Sequence, residues 1–65
     1  MNPSLSEDGK LMAVAEYHRT GGSSLVLLNM DGFLINSVRR APLNGQIKES
    51  LIIGDRVFCS IITEN

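Results

Sequence analysis

The chain of 65 residues has no tryptophan, one tyrosine, two phenylalanines, two prolines, one histidine and one cysteine. Each shortage excludes something. A lone Cys59 rules out an intrachain disulfide, and one Cys with one His supplies only half of the usual donor set of a structural zinc site. Scaffolds this small otherwise gain stability from oligomerisation or from docking onto a larger structure. Six basic residues against seven acidic ones leave a net charge of −1, without the basic excess of a phosphate-backbone binder. Nucleic acid is therefore not the expected partner, and a charge near zero does little to oppose self-association. No apolar run approaches the roughly 18 residues of a membrane-spanning helix. The start Met1-Asn2-Pro3-Ser4 has neither the basic nor the apolar region of a signal peptide. With the unpaired thiol, the expected setting is the cytoplasm.

What the chain does contain is apolar residues, 43% of the total, and turn-forming glycines, six in number, which together point to a packed domain rather than disorder. Asp8-Gly9 and Asp31-Gly32 each stand before an apolar run, a strong local hairpin signal, because a type I′ turn needs the positive φ that Asp and Gly tolerate best. Thr20-Gly21-Gly22 separates the two intervening runs, and Gly54-Asp55 fits a two-residue type II′ turn. Five strands are expected, over residues 10–18, 24–30, 33–39, 47–53 and 56–63. In the first, Leu11, Ala13, Ala15 and Tyr17 share one face and Met12, Val14, Glu16 and His18 the other. The second, with Leu25-Val26-Leu27-Leu28, is apolar on both faces and reads as a strand covered on both sides. Residues 41–46, Ala-Pro-Leu-Asn-Gly-Gln, have the chemistry of a loop. No segment has a capped, 3.6-residue polar face, so the fold class is all-β: an antiparallel meander of about five short strands in one domain, residues 1–65. Whether it lies open or curls into a small barrel is not fixed by the hydrophobic pattern.

The run Ser6-x-Asp8-Gly9-Lys10-x-x-Ala13-x-Ala15, followed by Gly21-Gly22, Leu25-Val26-Leu27-Leu28-Asn29 and Asp31-Gly32, resembles one blade of a β-propeller of the TolB-type or WD-repeat-like kind. The likeness covers residues 4–40, without the Trp-Asp pair that closes the third strand of a WD repeat. It implies that residues 47–63 form the first hairpin of a second blade. Since closed propellers use roughly 4–8 blades, it also implies a fragment, a self-assembling unit, or an element completing another protein. Two shorter likenesses imply a small barrel instead. Glu49-Ser50-Leu51-Ile52-Ile53-Gly54-Asp55 is similar to a segment of the carbon-storage-regulator family, which binds messenger RNA. Val38-Arg39-Arg40-Ala41-Pro42-Leu43 resembles the centre of the small-barrel domain that accompanies ferrous-iron transporters.

Few side chains offer chemistry. His18, the one group titrating near neutrality, and the basic pair Arg39 and Arg40 are the candidate binding residues. The two guanidinium groups, on consecutive strand positions, diverge to opposite faces. Cys59, among Val57, Phe58, Ile61 and Ile62, reads as a small buried hydrophobe rather than a nucleophile. Asp8, Asp31 and Asp55 are turn residues and not a metal site. No catalytic residue, metal or cofactor is expected. The expected function is that of a non-catalytic interaction module working through self-assembly or through packing against a protein partner.

Overall fold

A computed structural model describes residues 2–63. The described residues form six strands and no helix: β1 (Ser4–Leu5), β2 (Leu11–Tyr17), β3 (Ser23–Asp31), β4 (Leu34–Leu43), β5 (Gly45–Ile53) and β6 (Arg56–Thr63). Every pairing is antiparallel, in a four-stranded sheet of order β1-β2-β3-β4 and a two-stranded sheet of β5 and β6. The all-β meander expected from the alternation is what forms, and neither sheet closes on itself.

The two sheets pack together through one face of β2 and β3. Ala13, Leu25 and Ile47 are the buried centre, at 0%, 6% and 3% exposure, with Ala15, Leu27, Leu43, Ile52 and Val57 around them. Leu25 lies opposite Ala15 and Ala41, so the small side chains of its neighbours leave room for Ile47 of the second sheet. Val26, on the reverse face of β3, is also buried and lies between Val14 and Arg40. The strand expected to be covered on both sides is buried on both faces at Leu25 and Val26, while Leu27 and Leu28 are partly exposed.

Polar contacts fix the sheets in register as well. The hydroxyls of Ser4, Tyr17 and Ser23 donate to the β5 carbonyls of Ser50, Ile47 and Gly45 at 2.8, 2.8 and 2.7 Å. A bulge between Ile47 and Glu49 re-phases β5. Without it, Gly45 and Ile47 on one side and Ser50 and Ile52 on the other could not all turn towards the first sheet, since strand residues alternate faces.

Three sequence expectations need correction. Residues 41–46 are not a loop: β4 runs on through Pro42 to Leu43, β5 begins at Gly45, and Asn44 alone joins them. Pro42 is tolerated because β4 is an edge strand, where a missing N–H removes no ladder bond on the open side. The type I′ turns are absent too, because among the described residues no residue other than glycine has positive φ. Asp31 pairs with Leu34, so Gly32 and Phe33 are the turn, and Gly32 at φ 61° gives it the type II′ pattern. Gly54-Asp55, between paired Ile53 and Arg56, is the type II′ turn expected. Finally, the sequence offers one strand fewer than exists, five against six: Ser4–Leu5 pairs with Ala13 and Met12, too short a stretch to show alternation.

Candidate functional site

The Ser6-Glu7-Asp8-Gly9-Lys10 segment folds as a self-contained knot of hydrogen bonds. The Gly9 N–H donates to the Ser6 carbonyl at 3.0 Å, and the Ser6 N–H donates to Leu11 at 2.8 Å. The Asp8 carboxylate accepts from the Ser6 hydroxyl at 2.7 Å and from the Lys10 N–H at 2.9 Å, while the Leu11 N–H donates to the Ser6 hydroxyl at 2.9 Å. The Lys10 N–H, then the Ser6 hydroxyl, hold the Asp8 carboxyl below its ordinary pKa. Ser6, Asp8, Gly9 and Lys10 thus each have a local structural task in the turn.

The three candidate binding residues separate into two groups. His18 follows β2, and its Nε2 lies 3.1 Å from the Ser24 hydroxyl and 3.6 Å from Glu16 Oε1. The other oxygen of Glu16 is 3.6 Å from Arg40 Nε. His18 and Arg40 are therefore brought to one carboxylate, while Arg39, paired with Leu27, turns to the opposite face. Glu16 and Ser24 complete this cluster. Glu16 shares the His18 face in an i, i+2 relation legible in the sequence, but Ser24 arrives only through the β2–β3 register. The grouping has the residue types of a Ser–His–carboxylate relay without its geometry. Both partners approach the same ring nitrogen, whereas a relay needs the base oriented through one nitrogen and the nucleophile held at the other. The ions are about half exposed, so the Arg40–Glu16 pair contributes at most about 1 kcal/mol.

The second candidate is apolar. On the outward face of the β5–β6 sheet, Leu51 is paired with Phe58 and Ile53 with Arg56, and Ile62 lies further along β6. Leu51, Ile53, Phe58 and Ile62 are each more than half exposed. A hollow of about 300 Å³ lies over this sheet, lined by Glu49, Ser50, Leu51, Phe58, Cys59 and Ser60. On β4, Leu34, Ile35 and Val38 are exposed as well, and Phe33 stands fully in solvent at the turn tip. Cys59 is exposed, against the expectation of a buried position. The first sheet covers Ile47, Ile52 and Val57 but does not extend over the middle of β6.

Among the described residues no group of three or more His, Cys, Asp or Glu side chains could hold a metal ion, and no helix is long and apolar enough to cross a membrane. No family model matches the chain, and comparisons with curated proteins and with solved structures find no match either.

Proposed function

We propose that this chain is a non-catalytic interaction module, resembling a propeller blade, that works by packing its sheets against another protein surface, either a second copy or a partner protein. The carrying observation is the outward face of β5 and β6, where Leu51, Ile53, Phe58 and Ile62 stand exposed together. Clustered exposed apolar side chains of this kind mark association surfaces, whereas singly scattered ones do not. The blade-like form is supported by a four-stranded meander with a hairpin stacked on one face, and by Gly-containing turns in the order the likeness requires.

The test is the solution mass of the purified chain by light scattering over a range of concentrations, with circular dichroism alongside. Folded species heavier than the 7.1 kDa monomer support the reading. A cooperatively folded chain that stays monomeric at every concentration overturns it.

A further inference from the structure

A single residue, Asn44, joins β4 to β5 and makes a bend between Leu43 and Gly45. An Asn-Gly pair is chemically labile where the asparagine amide can turn back on the next nitrogen, because glycine puts no side chain in the way of that nitrogen. Asn44 is exposed, and among the described residues its side chain makes no hydrogen bond. It borders a hollow of about 440 Å³ together with His18, Gly22 and Leu43, which gives the amide room to rotate and water access to it. Gly45, the first residue of β5, directs its carbonyl to Ser23 of the first sheet. The N–H and C=O of a strand residue leave on the same side, so the nitrogen next to Asn44 is turned away from β6. Packing also retains the glycine, since a Cβ at this position would strike the Ile62 carbonyl. Asn29 is the opposite case. Its amide donates to the Ser37 hydroxyl at 2.8 Å, and the N–H that follows it, of Met30, donates to the Lys10 carbonyl at 2.8 Å.

We propose that Asn44 is a site of spontaneous deamidation, and that its isoaspartyl product loosens the β5–β6 hairpin from the four-stranded sheet. The Gly45 nitrogen gives its proton to hydroxide or water, bonds to Asn44 Cγ and closes an imide ring. The Cγ–Nδ2 bond breaks, and the amide nitrogen takes up a proton and leaves as ammonia. Water then opens the imide. Breaking the new N–Cγ bond leaves an aspartate, whereas breaking the original peptide bond leaves an isoaspartate, whose main chain runs through Cβ and Cγ. Either product adds a negative charge to the net −1. Only the isoaspartate lengthens the main chain, and it does so where one residue spans the two sheets and where Gly45 is held by Thr63 and Ser23.

The test incubates the folded chain at mildly alkaline pH, then denatures it and digests it briefly with trypsin, which cuts after Arg40 and Lys48 and isolates residues 41–48. Mass spectrometry of that peptide should show the amide replaced by an acid, and isoaspartyl methyltransferase should label it. Asn29, whose two hydrogen bonds must break first, should convert about tenfold or more slowly. A synthetic peptide of residues 41–48 reports the chemistry without the fold. An Asn44 that keeps its amide in a chain folded by circular dichroism, while the peptide converts, overturns the site; so does an Asn29 that keeps pace with Asn44. The isoaspartyl form, separated by ion exchange, should melt about 4 °C or more below Asn44→Asp, which adds the charge without lengthening the chain. Equal melting of the two overturns the loosening of the hairpin. If Asn44→Asp does not fold, the wild-type chain before and after conversion gives the same comparison.

Discussion

Replacing Gly45 by alanine would set a methyl carbon 2.4 Å from the carbonyl oxygen of Ile62 and 3.1 Å from its carbonyl carbon. Non-bonded atoms prefer about 3.5 Å or more, so either Gly45 or the end of β6 must move by about 1 Å. Gly45 is not free to do so. Gly45 pairs with Thr63, its carbonyl accepts the Ser23 hydroxyl at 2.7 Å, and Ser23 is completely buried. Overpacking of this kind costs about 1–3 kcal/mol, and loss of the Ser23 hydrogen bond adds about 1 kcal/mol. A domain of this length has a total stability of about 3–10 kcal/mol, and each kcal/mol corresponds to about 4–8 °C in Tm. The expected fall for Gly45→Ala is therefore about 8–32 °C, read from a circular dichroism melt. Gly54→Ala is the control: nothing lies within 4 Å of its added carbon, so only the positive φ of 61° is penalised, at about 1–2 kcal/mol. The reasoning fails if Gly45→Ala melts within a few degrees of wild type, or if Gly54→Ala is the more damaging change.

Two further changes probe the turn and the core. Asp8→Asn removes a carboxylate whose folded pKa is lowered by the Lys10 N–H and the Ser6 hydroxyl. Such a group stabilises fully above its unfolded pKa of about 3.9 and loses its effect as pH falls through the lower folded value. The Tm difference between wild type and D8N should thus be constant from neutrality to about pH 5 and shrink on acidification below about pH 4; a difference that does not change with pH refutes it. Ile47→Ala empties the contact between the sheets, and should cost about 2–5 kcal/mol as a lowered urea midpoint. An unchanged midpoint would mean that the hydroxyl contacts alone hold β5 in place.

Much of this fold is legible in the sequence because hydrophobic alternation is local. Leu11 to Tyr17 and the doubly apolar Leu25 to Leu28 declare their strands, and Gly54-Asp55 declares its turn. The misreadings arise where tertiary context overrules local chemistry. Pro42 and Asn44-Gly45 look like a loop, but an edge strand tolerates the proline, and close approach to Ile62 accounts for the glycine. The place of Phe33 in its turn depends on how Asp31 and Leu34 pair, which no short pattern encodes. The candidate sites divide the same way. That Arg39 and Arg40 diverge follows from strand geometry, whereas the meeting of His18, Glu16, Ser24 and Arg40 needs the register of three strands. The exposure of Cys59 depends on how far one sheet extends over another, a property of neither strand alone.

The hydroxyls of Ser4, Tyr17 and Ser23 differ in kind from the apolar centre they flank. Contacts among Ala13, Leu25 and Ile47 would tolerate a gliding displacement of one sheet over the other, since dispersion and hydrophobic burial have little directional preference. Hydrogen bonds to three carbonyls along β5 do not, because a shift of a single residue would misalign all three. The apolar contacts hold the sheets together, and the hydroxyls set where along the strand they rest. Ser4→Ala, Tyr17→Phe and Ser23→Ala together would leave two sheets that still adhere but have lost their fixed longitudinal alignment.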